Sequence, residues 1–175
     1  MTYVRVKKFK RKNGNILEYL YSVESKRNRV RKKVRQKFKG YLGRVYRLSK
    51  VNEKKFLETV DSEPDIYLKM ATKEKIIHDL IRFELIRHGF TLIGNKWIKD
   101  NLSVDLKKNK IINGKKSDCV LAMNEGYIYN KRMRELYKYD HIDDTKQSGL
   151  ELARLFIESG IDVPQDVFIG YYEKL

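Results

Sequence analysis

Two periods alternate along the chain, one close to two residues and one close to four. In Tyr3-Val4-Arg5-Val6-Lys7-Lys8-Phe9, and again over residues 16–23, β-branched and aromatic residues alternate in part with charged ones. Lys12-Asn13-Gly14-Asn15 between them has hairpin-turn chemistry, so the pair predicts a β-hairpin. After a polar stretch at 24–29, Val30, Val34 and Phe38 punctuate a basic run. Gly40-Tyr41-Leu42-Gly43-Arg44-Val45-Tyr46-Arg47-Leu48 then restores alternation, which predicts a third strand and leaves room for a fourth. Pro64, preceded by Asp61-Ser62-Glu63, marks a loop or short-helix connection.

From Thr72 the period lengthens. Ile76, Ile77, Leu80, Ile81, Phe83, Leu85 and Ile86 follow a helical pattern, with Thr72 as N-cap and Gly89 as the stop. Residues 90–93, 96–99 and 102–105 then read as short strands joined by the turns Gly94-Asn95 and Asp100-Asn101, a meander packed on that helix. Strands at 110–112 and 119–123 follow, separated by Asn113-Gly114, and Asn124-Glu125-Gly126-Tyr127 reads as a turn for which Gly126 supplies backbone freedom. The last third predicts a short helix at 131–137, a longer one at 147–159 ended by Gly160, and a final one with Pro164 at its first helical position. The expected class is α+β: a small basic antiparallel β-module at 1–50, a connector at 51–71, and a neutral α+β domain at 72–175 whose β-meander packs on helices. There is no internal repeat.

Composition narrows the class. At 175 residues one main domain with a small module beside it is the default, and a chain of this length buries roughly 70% of its unfolded surface. With 41% apolar and 35% charged residues, 10 Gly and 2 Pro, it reads as a folded, soluble protein. No apolar run approaches the ~20 residues that span a bilayer, and the basic start lacks the apolar stretch of a secretory signal. An intracellular, cytoplasmic protein is expected. The single cysteine, Cys119, permits neither an internal disulfide nor a Cys-rich zinc site.

Charge changes the picture most. The net charge is +16, and residues 1–50 hold 18 Lys and Arg against only Glu18 and Glu24. The remaining 125 residues balance at 21 of each sign, so the whole surplus lies in the predicted strands. Self-repulsion there opposes folding, and an anionic polymer relieves it by neutralisation and counterion release. Seven aromatics, Tyr3, Phe9, Tyr19, Tyr21, Phe38, Tyr41 and Tyr46, fall in the same segment, which a disordered basic arm would lack. On a sheet of three or four strands, one face would hold the apolar side chains and the other would display Arg5, Lys7, Arg31, Lys33, Arg35 and Lys37. Arg29, Lys32, Lys39, Arg44 and Tyr41 complete the expected nucleic-acid-binding set, while most tyrosines are expected to serve cross-strand packing.

The stretches Tyr3-Val4-Arg5-Val6-Lys7-Lys8, Glu18-Tyr19-Leu20-Tyr21-Ser22-Val23-Glu24-Ser25, Lys33-Val34-Arg35-Gln36-Lys37 and Tyr41-Leu42-Gly43-Arg44-Val45 resemble the N-terminal leader of many insertion-sequence transposases. In that family a similar strand, a Tyr-rich second strand and a K-V-R-Q…Y-L-G sequence precede the catalytic core. The resemblance covers about 45 of the 175 residues and implies a β-rich module on a DNA-handling protein, with nothing implied about catalysis. The other roughly 125 residues are too short for a ribonuclease-H-like core and lack its three spaced acids, so a free-standing module or domesticated descendant fits better than an active transposase.

Catalytic chemistry has thin support. Glu84, Asp100 and Asp105 with Lys107 or Lys108 echo a metal-dependent nuclease, but the E-x-K that would follow the acidic strand is missing. His78, His88 and His141 are too scattered to share a metal, Cys119 has no histidine beside it, and no phosphate-cradling or dinucleotide motif occurs. No cofactor and no metal is expected. In the stripe Leu150, Leu152, Ala153, Leu155, Phe156, Ile157, core packing takes most positions and the remainder suits a homodimer or a protein partner through the C-terminal domain. The expected function is therefore non-enzymatic binding of nucleic acid through backbone phosphates. The leader resemblance tilts the choice toward DNA over RNA. A metal-dependent nuclease and a protein-interaction module with a basic face are the alternatives.

Overall fold

The computed structural model describes residues 2–28, 33–60, 62–140 and 146–175. Three long strands come first: β1 (Thr2–Lys10), β2 (Ile16–Asn28) and β3 (Lys33–Arg47). β1 and β2 pair antiparallel as the alternation predicts, with Val4 opposite Ser22, Arg5 opposite Tyr21 and Lys7 opposite Tyr19. The turn between them closes on Gly14, whose φ of +83° needs a residue without a Cβ. β3 is one continuous strand where the pattern left room for two. Leu42 and Lys39 have no partner in its pairing with β2, so β3 carries two bulges, each of which shifts its alternation by one.

Two short helices follow, α1 (Phe56–Val60) and α2 (Pro64–Met70), and then α3 (Lys73–Arg87). Thr72 caps α3 by accepting from the Lys75 N–H at 3.2 Å, and Gly89 ends it at φ +82° with Phe90 N–H bonded back to the Leu85 carbonyl. The meander is β4 (Thr91–Ile93), β5 (Lys96–Lys99), β6 (Leu102–Asp105) and β7 (Lys110–Asn113), a four-stranded sheet in chain order. β8 (Cys119–Met123) and β9 (Gly126–Ile128) do not extend it. They complete the first sheet, in the order β1-β2-β3-β8-β9. Residues 44–47 of β3 pair in parallel with residues 119–122 of β8, so this sheet takes strands from both sides of residue 50. Helices α4 (Asn130–Tyr137), α5 (Lys146–Ser159) and α6 (Gln165–Tyr172) close the chain, with Pro164 at the N-cap of α6 where the pattern placed it one residue further in. The mixture of a mixed and an antiparallel sheet packed with helices is an α+β fold.

β8 is buried along its whole length because it stands between two cores. Its Cys119, Leu121 and Met123 join Phe56, Ile76, Leu80, Leu85, Ile111, Met133 and Phe156 in the main core. Its Val120 and Ala122 face the other way, into a smaller cluster with Leu20, Val45 and Tyr129, against which Val4, Val6, Leu42 and Tyr127 pack. A strand buried on both faces has no polar side to show, which is why residues 119–123 form the longest apolar run of the sequence. β1 and β9 are opposite edges of the sheet, yet Val4 and Tyr127 pack on one cluster, so the sheet curls around it.

Gly126 opens β9 rather than lying inside a turn, and it is required for space: a Cβ there would collide with backbone atoms of Gly160 and Ile157. Among the described residues no helix is long and apolar enough to cross a membrane.

Candidate nucleic-acid interface

The register sorts the N-terminal side chains onto two faces. On one, which we call the ring face, lie Arg5, Lys7 and Phe9 of β1, Tyr19 and Tyr21 of β2, and Gln36, Phe38, Tyr41 and Arg44 of β3. The opposite, valine face carries Val4, Val6 and Lys8, then Glu18, Leu20 and Glu24, then Arg35, Lys37, Val45 and Arg47. The valine face supplies the small core near β8. The ring face is covered by the main core only at its β8 end, where Tyr46 packs on that core and hydrogen-bonds Asn113 at 3.3 Å.

The two acids of the first 50 residues are both on the valine face, and both are engaged. Glu18 meets Arg47 at 2.8 Å and Lys8 at 3.3 Å. Burial opposes its ionisation, but the hydrogen bonds from Arg47 and Lys8 outweigh that and hold its carboxyl below the ordinary range. Glu24 pairs with Lys39 at 3.3 Å, and that hydrogen bond holds its carboxyl low as well. The cations of the ring face have different neighbours. Arg5 donates to the neutral Gln36 Oε1 at 2.7 Å, Lys7 Nζ stands 5.2 Å from the Tyr21 ring centre, and the Arg44 guanidinium stands 4.9 Å from that of Tyr46. Among the described residues, Arg5, Lys7 and Arg44 thus stand on a face of β1–β3 where no carboxylate pairs with them.

Of the residues expected to bind, the structure brings together Arg5, Lys7, Tyr41 and Arg44 on the ring face. Arg35 and Lys37 point to the valine face, and Lys39, a bulge residue, is tied to Glu24. Arg29, Arg31 and Lys32 lie outside the described residues, and Lys33 opens β3. Around the ring-face cations the structure adds residues that periodicity had left to packing. Phe9, Tyr19, Tyr41, Tyr21 and Phe38 touch in that order, with ring centres 5.6, 6.0, 5.6 and 5.5 Å apart, a continuous aromatic track across three strands. The i, i+2 spacing of Tyr19 and Tyr21 carried a signal for it, whereas the bulges on either side of Gly40 and Tyr41 hid the face of Tyr41.

The residues considered for nuclease chemistry are dispersed. Glu84 is fully buried, accepting from Arg87 at 3.2 Å, Asn124 at 3.2 Å and the Asp162 N–H at 3.1 Å, and burial pushes its carboxyl up. It ties the end of α3 to the β8–β9 turn and the segment before α6. Asp100 occupies the β5–β6 turn at φ +50°, and Asp105 accepts from the Lys108 N–H at 3.0 Å in the next turn. Among the described residues no three His, Cys, Asp or Glu side chains gather to hold a metal ion. Cys119 is buried and its thiol is pushed up to about 12 by burial and by Asp118. His88 is fully buried, with Nδ1 placed 2.8 Å from the Glu84 carbonyl.

No family model matches the chain, and neither the curated proteins nor the solved structures supply a match.

Proposed function

We propose that the chain binds nucleic acid through the sheet formed by β1, β2 and β3, holding backbone phosphates with the cations of its ring face. The observation that carries this is the segregation of charge: a segment of net +16 folds with both of its acids on one face and leaves Arg5, Lys7 and Arg44 on the other, where among the described residues no carboxylate pairs with them. Lysine and arginine at that density attract a phosphate polymer from a distance and fix its position on contact. Among the described residues the cations of this face stand on strands and not on a helix that could enter a groove, so affinity is expected to rest on phosphates and to vary little with sequence. The likeness to a transposase leader favours DNA over RNA as the natural ligand.

The test is fluorescence anisotropy with duplex DNA, single-stranded RNA and structured RNA over a salt series, with and without magnesium. If six to eight phosphates are neutralised, log K falls against log salt with a slope of about −4 to −7. A slope near zero, or no binding to any of the three, sinks the proposal. Cleavage in the magnesium arm would support the nuclease alternative.

A further inference from the structure

The ring face carries more apolar surface than phosphate binding requires. Phe9, Phe38 and Tyr41 are 48%, 57% and 54% exposed on the strand face that they share with Tyr19 and Tyr21. Aromatic rings held in water forgo the stabilisation that burial would bring. Cross-strand packing accounts for Tyr19 and Tyr21, which lie between the others, whereas among the described residues Phe38 and Tyr41 stay more than half exposed.

Charge narrows what that occupant is. A second copy meeting ring face to ring face would bring Arg5, Lys7 and Arg44 against their like, in a segment already carrying the entire net charge. A duplex presents base edges and phosphates and keeps its base faces stacked inside, so it offers these rings nothing to lie against. Unpaired nucleotides present both features at once, a flat π surface and a phosphate, and rings interleaved with cations match both.

We infer that the ring face takes unpaired nucleotides, their bases stacked on Phe38 and Tyr41 and their phosphates met by Arg5, Lys7 and Arg44. This rests on the nucleic-acid reading above and adds to it the form of the strand. Every base has a π-face, so the site tolerates any sequence and discriminates single from paired strands.

Three labelled oligomers test it by anisotropy: an oligothymidylate, an abasic oligomer with the same number of phosphates, and the oligothymidylate annealed to its complement. The oligothymidylate is expected to bind at least about 10-fold tighter than the abasic oligomer and tighter than the duplex. Phe38→Ala and Tyr41→Ala should each weaken it by about 5- to 100-fold and leave abasic binding unchanged. Tyr41→Phe should retain the affinity that Tyr41→Leu loses, because stacking needs the ring and not the hydroxyl. Both positions are more than half exposed, so the variants should fold, and a thermal melt checks this. Equal binding of abasic and oligothymidylate strands, insensitive to ring removal, would overturn the stacking site and leave phosphate binding standing. Binding to none of the three would overturn both.

Discussion

Substituting Gly43 by alanine should loosen the sheet where the basic strands join the rest of the chain. Gly43 has φ +143°, a backbone conformation that L-residues rarely adopt, so any side chain there adds strain of about 1–3 kcal/mol. A Cβ at this position would also lie 2.9 Å from Cys119 Cα, 3.0 Å from the Asp118 carbonyl oxygen and 3.1 Å from Cys119 C, all well inside the ~3.5–4.0 Å of ordinary carbon contacts. These are backbone atoms of the neighbouring strand, so no rotamer change relieves the overlap. β3 has to move off β8, disturbing the register from Arg44↔Cys119 to Arg47↔Ala122, at a further ~1–3 kcal/mol. The sum, about 2–6 kcal/mol, is a large part of the ~5–15 kcal/mol that keeps a domain folded. Gly40 supplies the control. It lies on the same strand with nothing within 4 Å of its would-be Cβ and no positive φ, so Gly40→Ala should be neutral or slightly stabilising. Urea unfolding of both variants decides, and equal midpoints would refute the close approach of β3 to β8.

Two further expectations concern the buried polar residues. Glu84→Ala should cost about 3 kcal/mol in urea unfolding, because it leaves Arg87, Asn124 and the Asp162 N–H without their shared acceptor, whereas Glu84→Gln, which keeps the shape and one acceptor oxygen, should lose less than half of that; equal losses would show that the carboxyl is not the hub. Burial holds both His78 and His88 below the ordinary imidazole value of 6.5. The Nδ1–H of His88 donates to the Glu84 carbonyl, and protonation would add a proton at a buried Nε2 that has no partner among the described residues. Since the unfolded chain takes up protons first, the stability these residues contribute is present above pH 6.5 and is lost as pH falls through their folded values. An NMR titration of His88 with a midpoint at or above 6.5 would contradict this.

Much of the fold could be read from local pattern, because local chemistry fixes it. The alternation of Val4, Arg5, Val6 and Lys7 sorts those residues correctly between faces, Thr72 and Gly89 bound α3, and Asp100-Asn101 turns the meander. The remainder depends on events that periodicity does not register. The β2–β3 register sets Lys37 opposite Glu24 and Arg35 opposite Lys26, so both point away from Arg5 and Lys7 although simple alternation put all four together, and the bulges at Leu42 and Lys39 reverse the face of only Gly40 and Tyr41 between them. The parallel pairing of β3 with β8 joins segments far apart in sequence and leaves no local trace beyond the wholly apolar run at 119–123. Glu84 sits in the last turn of α3, where a glutamate ordinarily faces water. Its burial follows from Asn124 and Asp162, which reach it from distant elements. The aromatic track was visible as composition and not as a surface, since only the register shows that five rings from three strands share one face.

The central claim is that the ring-face cations hold phosphates. It is tested most directly by comparing the salt dependence of binding for the unaltered protein with that of an Arg5→Gln, Lys7→Gln, Arg44→Gln variant, on one oligonucleotide. Each lost phosphate contact should lower the magnitude of the log–log slope by about one, so the triple variant should bind more weakly with a slope shallower by about three. An unchanged slope and affinity would mean that the strand lies elsewhere on the protein.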